Sequence, residues 1–122
     1  MRRAVLVTGA SRGIGAAVAR AFTRSGDRVA VHYGARRDQA VEVQESLAGD
    51  SHLVVGADLM DASAIRRMVD EVAEVFDGID VLVNNAGIFE AHPITDTSYY
   101  EWQESWRRTL GVNLTGAANV TW

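Results

Sequence analysis

The sequence predicts an α/β domain built on a doubly wound parallel sheet. Three observations predict it. Short apolar, β-branched runs alternate with longer segments that carry apolar side chains at helical spacing. No two strand-like runs are joined by a two-residue hairpin turn, and glycine punctuates the ends of most segments. Strands separated by helical crossovers run parallel, connect right-handedly and leave a sheet covered on both faces.

Each element follows in order. Ala4 to Thr8 (A-V-L-V-T) is short, partly β-branched and ends at Gly9, which suits a strand buried on both faces. Ile14, Val18 and Phe22 recur every four residues up to Gly26 and predict a helix with that stripe buried. Val29 to Tyr33 is a second strand, and Asp38 to Ala48 a second helix with Ala40, Val43 and Leu47 on one face and Gly49 as its stop. His52 to Ala57 supplies a third strand. Asp61 is an expected N-cap, and Ile65, Met68, Val69, Val72 and Phe76 form the clearest helical stripe before Gly78. Asp80 to Val83 is a fourth strand running into Asn84-Asn85-Ala86-Gly87. After a loop holding the only proline, Pro93, a long fourth helix is marked by Trp102, Trp106, Leu110 and Leu114 and is still running at Trp122. No linker, repeat or low-complexity stretch interrupts the pattern, so the 122 residues read as one domain or part of one.

Composition excludes several kinds of chemistry. Apolar residues make up 48% and charged residues 23%, which is ordinary globular usage and argues against disorder. A net charge of −4 leaves no basic excess to neutralise a phosphate backbone, so nucleic acid is not expected as a partner. No apolar run approaches the length of a bilayer span, so no membrane association is expected, and Arg2-Arg3 lead straight into the first strand without an apolar leader. The expected location is cytoplasmic. There is no cysteine, and His32, His52 and His92 are scattered without ligand spacing, so no metal site is expected. All twelve basic side chains are arginine, which rules out a lysine ammonium from within this chain.

The chemistry concentrates where the first strand hands over to the first helix, at Thr8-Gly9-Ala10-Ser11-Arg12-Gly13-Ile14-Gly15. Glycines there let the backbone turn sharply and approach a ligand closely, while amides at a helix N-terminus present partial positive charge to an anion. A pyrophosphate is the expected guest. The same residues also suit a tight turn with close helix-to-sheet contact, and the position at the start of a βαβ unit favours the ligand.

The spacing is G-x-x-x-G-x-G, and as T-G-A-S-R-G-I-G it strongly resembles the short-chain dehydrogenase/reductase family, in particular its 3-oxoacyl-carrier-protein-reductase-like members. The resemblance covers the whole chain. Asp58-Leu59 follows the third strand, Asn84-Asn85-Ala86-Gly87 the fourth, and Val112-Asn113-Leu114 lies in the fourth helix, all in family order. It implies a Rossmann-type doubly wound parallel sheet, here its first four strands in order 3-2-1-4 with flanking helices, truncated so that residues 1–122 form the NADP-binding N-terminal part of a single domain. It also implies roles. Gly9, Ser11, Arg12, Gly13, Ile14 and Gly15 would wrap the cofactor's phosphates and adenosine ribose, Asp58 would accept from the adenine amino group beside Leu59, and Asn85, Ala86 and Gly87 would line the cofactor near a ribose.

NADP is expected over NAD. An NAD-selective site places a carboxylate at the end of the second strand, about 20 residues past the glycines, where it binds ribose hydroxyls and repels a 2′-phosphate. Here His32, Tyr33, Gly34 and Ala35 occupy that region, followed by Arg36 and Arg37, with Arg12 projecting from the glycine turn toward the same space. Guanidinium forks match phosphate geometry, so Arg12 with Arg36 or Arg37 is expected to hold the 2′-phosphate, and Tyr33 to lie at the adenosine end.

For catalysis the resemblance implies a Ser, a Tyr-x-x-x-Lys pair and an Asn in the fourth helix that holds a water of the proton relay. Asn113 fits the last by its V-N-L context, and an Asn in a helix interior has a functional or kink-forming reason to be there. The others are not found: Tyr99 is followed four residues later by Gln103, and Tyr100 by Glu104. Trp102 and Trp106, at i and i+4, are expected to pack in a core or interface. The implied substrate is a small carbonyl or alcohol, the implied parent a homo-oligomer, and activity of the chain by itself is not expected. A non-catalytic dinucleotide-binding module is the alternative.

Overall fold

Four parallel strands form the only sheet among the described residues, 2–122, of the computed structural model. They are β1 (Ala4–Val7), β2 (Arg28–Tyr33), β3 (Leu53–Gly56) and β4 (Val81–Val83), paired in the order β3-β2-β1-β4. Register is set by Val5 opposite Val29 and Val81, and by His32 opposite Val55. All four residues of β1 are buried, as its unbroken apolar run requires, whereas β4 is a short, half-buried edge.

The helices are α1 (Gly13–Arg24), α2 (Arg37–Glu45), α3 (Ala62–Phe76), α4 (Tyr99–Leu110) and α5 (Ala117–Thr121), the last two joined by a π-helical turn over Gly111–Gly116. Helices α1 and α2 cover one face of the sheet, over Val5, Val7, Val29 and Val31. Helix α3 covers the other, where Ile65, Met68, Val72 and Phe76 pack on Leu6, Ala30 and Val55. Asp61 caps α3 as expected, its carboxylate accepting from the Ala64 N–H at 3.1 Å. At the far end Asp77 takes the left-handed conformation, and the Gly78 N–H donates to the Ala73 carbonyl at 2.8 Å.

Helix α1 corrects one expectation. Its buried residues are Gly15, Ala16, Ala19 and Thr23, while Val18 and Phe22 are half-buried and Ile14 is 76% exposed. The four-residue recurrence marks a helix but not its buried face: small residues let α1 lie close against the sheet, and the bulkier stripe falls on the flank. The fourth helical segment departs as well. Trp106, Leu110 and Leu114 are exposed, and the residues it buries are Ser105, Gly116 and Val120. Trp102 and Trp106 stack edge-on against His92 of the preceding loop, with ring centroids 5.1 and 6.1 Å away. A capping box starts this helix: the Ser98 hydroxyl accepts from the Glu101 N–H, and the Glu101 carboxylate accepts from the Ser98 N–H.

Candidate nucleotide-binding site

The carboxyl ends of β1, β2, β3 and β4 open onto one cleft of about 720 Å³, within the range of small-molecule sites. A cleft at this position follows from the topology, because β1 sits where strand order reverses between β2 and β4.

The glycine turn forms its floor. Gly9 has φ +62°, and a Cβ there would stand 2.8 Å from the Ala86 Cα, so only glycine fits between this turn and the segment after β4. At Gly15 a Cβ would meet the Gly9 carbonyl oxygen and the Asn85 amide, which fixes how closely α1 approaches. No side chain caps the N-terminus of α1, and no acidic residue lies in its first turn. Its positive end therefore opens into the cleft uncompensated. Arg12 stands at the cap position, exposed; its carbonyl accepts from the Ala16 N–H at 3.2 Å, while its guanidinium has no hydrogen bond or ion pair to any described residue.

A buried threonine ties this floor to the fourth strand. The Thr8 side chain is enclosed, and its hydroxyl accepts from the main-chain N–H groups of both Asn85 and Ala86 at 3.0 Å and donates to the Val83 carbonyl at 3.4 Å. Asn85 returns the contact, donating from Nδ2 to the Thr8 and Gly9 carbonyls at 3.0 and 3.1 Å. The glycine turn and the N-N-A-G segment are thus one hydrogen-bonded unit. Thr8 is absent from the residues singled out by sequence, although it heads the glycine motif. The signal available was a hydroxyl where a buried strand end needs a polar partner.

The walls bring most of the expected residues together. Ser11, Gly13, Ile14, Arg36, Asp58, Leu59, Asn85, Ala86 and Gly87 line the cleft with Gly9, Arg12 and Gly15. The exposed Asp58 carboxylate accepts from the Met60 N–H at 2.9 Å, and Leu59 is buried beside it. Tyr33 and Arg37 do not line the cleft. The Tyr33 ring lies over Gly56 and packs against the core beneath α1 and α2, and Arg37 is exposed in the first turn of α2. Arg36 reaches the cleft but is bidentate to Asp38, at 3.1 and 2.8 Å. That hydrogen bonding holds the Asp38 carboxyl below, and the Arg36 guanidinium above, its ordinary range. Sequence reasoning passed over His32, which also lines the cleft, because an isolated histidine in a strand carries no spacing signal.

Asn113 sits in the π-helical turn, outside the lining of the cleft. Its Oδ1 accepts from the Ile88 N–H at 2.8 Å and its Nδ2 donates to the Ile88 carbonyl at 2.9 Å, clasping the chain just past Asn85-Ala86-Gly87. Further along that loop, Glu90 accepts from Arg108 at 2.8 and 2.7 Å and from Ser105 at 3.0 Å. The Arg108 guanidinium, helped by the Ser105 hydroxyl, lowers the Glu90 carboxyl to about 2. No helix is long and apolar enough to cross a membrane, and no cluster of metal-ligating side chains occurs among the described residues.

Comparison with known proteins agrees with this arrangement. The family model for short chain dehydrogenases matches residues 3–122. An L-rhamnose 1-dehydrogenase (NAD(P)(+)) of Azotobacter vinelandii is 42% identical over 120 residues, covering 94% of this chain and 45% of its own length. A 3-oxoacyl-acyl-carrier-protein reductase of Staphylococcus aureus is 36% identical over 121 residues, covering 98% of this chain and 48% of its own. Among solved structures, a short chain dehydrogenase from Burkholderia cenocepacia in complex with NADP superposes with a TM-score of 0.84 at 38% identity, over 98% of this chain and 48% of that one. The chain spans about half the length of the relatives it matches. With a parallel sheet of order 3-2-1-4, a glycine turn knotted to the segment after β4 and a family match over nearly every residue, the chain belongs to the short-chain dehydrogenase family.

Proposed function

We propose that residues 1–122 are the NADP-binding N-terminal part of a single Rossmann-type oxidoreductase domain whose whole protein interconverts a small-molecule carbonyl and alcohol. The bound nicotinamide would supply or accept the hydride. Everything else falls to the protein. Main-chain amides of Ser11 to Ile14 and the positive end of α1 bind the pyrophosphate, with Gly9 and Gly15 allowing the close approach. Asp58, beside Leu59, takes the adenine amino group, while Asn85, Ala86 and Gly87 support the ribose nearer the nicotinamide. Asn113 acts as a positioning residue, because both ends of its side chain are already bonded to Ile88.

The observation that carries this reading is the uncapped N-terminus of α1 opening into the cleft beside the unpartnered Arg12 guanidinium. NADP is favoured over NAD because no carboxylate lines the cleft from the end of β2, and Arg12 is free to meet a 2′-phosphate. Arg36 joins it only by leaving Asp38, and Tyr33 and Arg37 stand further back. Cytoplasmic location and a homo-oligomeric parent belong to the same proposal, the latter supported by the exposed Trp106, Leu110 and Leu114 along one helix.

Calorimetric titration of the folded chain with NADP+ and NAD+ tests it. NADP+ binding more tightly is expected, with the preference reduced in Arg12→Ala. Binding of neither nucleotide overturns the reading, and tighter NAD+ overturns its selectivity. The alternative is a non-catalytic dinucleotide-binding module. NADPH-dependent carbonyl reduction by the complete gene product decides between the two.

A further inference from the structure

His32 is a buried, nearly enclosed side chain on β2, and both ring nitrogens are bonded to main chain. The Gly9 N–H donates to Nδ1 at 2.9 Å, and Nε2 lies 2.9 Å from the Ala57 carbonyl oxygen. These partners fix the tautomer. A main-chain N–H only donates, so Nδ1 carries the lone pair; a carbonyl only accepts, so Nε2 carries the proton. One neutral imidazole therefore bridges the glycine turn on one side of the cleft and the residue preceding Asp58 on the other. The Ala10 N–H donates to the His32 carbonyl at 2.9 Å, so this residue holds the turn from main chain and side chain alike.

We propose that His32 is the positioning residue of the dinucleotide site: its neutral imidazole, protonated on Nε2 alone, sets the distance between the phosphate-binding turn and the loop that carries Asp58. The inference rests on the nucleotide reading above and adds to it a proton dependence. A second proton on Nδ1 would confront the Gly9 N–H at hydrogen-bond distance with donor facing donor. Either the ring turns away or the glycine turn moves, and each alters the floor against which a pyrophosphate would lie.

The surroundings offer the imidazolium little compensation. Charged groups lining the same cleft are Arg12 from the glycine turn, Arg36 at the start of α2 and Asp58 after β3. Two of these three are cationic, and the Asp58 carboxylate is exposed and bonded to the Met60 N–H. Helix α3 presents Ile65, Met68 and Val72 to this face of the sheet, β1 presents Leu6, and the segment after β4 contributes Asn85 and Ala86 to the cleft. Burial lowers the imidazole below its ordinary range, in keeping with this setting.

The test compares wild type with His32→Asn and His32→Leu in the 122-residue chain, titrated with NADP+ from pH 8 to pH 5. The asparagine carbonyl oxygen keeps an acceptor for the Gly9 N–H but does not titrate. The leucine keeps neither bond. Wild-type affinity is expected to hold above the imidazole's own pKa and to fall by up to about tenfold per pH unit below it, the limit for one linked proton. His32→Asn should bind about fivefold more weakly at pH 8, as for one lost hydrogen bond, with a visibly flatter acid limb. The 2′-phosphate titrates near pH 6 in every variant, so the difference in slope between the two proteins on one ligand is the readout. His32→Leu should bind more weakly still. Nitrogen-15 spectra of the wild-type imidazole require no variant to fold and should show a proton on Nε2 and none on Nδ1 at pH 8. Equal acid limbs in wild type and His32→Asn, or a proton on Nδ1, overturn the role of His32 while leaving the nucleotide site standing. A folded wild type that binds neither NADP+ nor NAD+ at any pH overturns the nucleotide reading, and this inference with it.

Discussion

Replacing Thr8 by valine exchanges a hydroxyl for a methyl of nearly the same size, so the cavity and the backbone conformation are kept while the hydrogen bonds are lost. Three contacts go: acceptance from the Asn85 and Ala86 N–H groups, and donation to Val83. The Val83 carbonyl retains the Thr8 N–H as a donor at 3.1 Å, so its loss is minor. The two amides have no other partner in the structure and become unsatisfied in a half-buried segment. At about 1–3 kcal/mol for each buried group left without a partner, discounted for partial access to water, Thr8→Val should cost roughly 2–4 kcal/mol. That is a large share of the 5–15 kcal/mol, approximately, that holds a domain together. Thr8→Ser keeps the hydroxyl, loses one methyl and should cost only about 1 kcal/mol. Urea unfolding read by tryptophan fluorescence separates them: Thr8→Val should lower the midpoint at constant m, with Thr8→Ser close to wild type. A Thr8→Val midpoint equal to that of Thr8→Ser would falsify the claim that this hydroxyl holds the glycine turn to the segment after β4.

Further expectations follow from the same geometry. Asn85→Ala removes both donations to the glycine turn and should destabilise by about 1–2 kcal/mol while also weakening NADP+ binding in calorimetry; unchanged affinity would detach Asn85 from the cleft. Asp38→Asn weakens the hold on Arg36 and should raise the ratio of NADP+ to NAD+ affinity, whereas an unchanged ratio would place Arg36 outside phosphate recognition. The His32 imidazole is lowered in the folded protein, so the unfolded chain takes up its proton first as pH falls. Stability should therefore be full above about pH 6.5 and decline below it toward the folded-state pKa, less steeply in His32→Asn, as measured by urea midpoints across pH. The Glu90 carboxyl is lowered to about 2, so its contribution is present above the ordinary carboxylate range and lost as pH falls toward that value. Fluorescence of Trp102 and Trp106 should report release of the His92 loop over that window, and Glu90→Gln should show the released signal already at neutral pH.

The alternation of elements and the cap at Asp61 were legible because each rests on local chemistry, apolar runs, helical spacing and a carboxylate before a first turn, whereas the strand order came only with the family resemblance. The floor of the cleft was legible as well, since G-x-x-x-G-x-G between strand and helix leaves few alternatives. What escaped depends on packing distance. The stripe Ile14, Val18, Phe22 has the right period, but nothing local says that α1 must press so close that only Gly15, Ala16 and Ala19 fit beneath it. Thr8 and His32 were illegible for a related reason, because their partners lie 75 to 78 and 23 to 25 residues away. Tyr33 and Arg37 sit at plausible positions in the chain, yet strand alternation and helix phase turn them elsewhere.

The π-helical turn bears on which genetic changes this fold tolerates. Over Gly111–Gly116 the helix makes wider turns than its neighbours, and everything downstream is rotated by that surplus. Removing one codon there would let ordinary winding run through and swing the following residues by about 100°. Gly116, whose Cβ would collide with the Leu59 main chain, and the buried Val120 would leave their seats together. Single substitutions on the exposed side of the turn should be absorbed readily, while an in-frame loss of any one residue should not. A deletion scan would thus trace the segment as a sharp band of intolerance inside a helix whose surface otherwise accepts change.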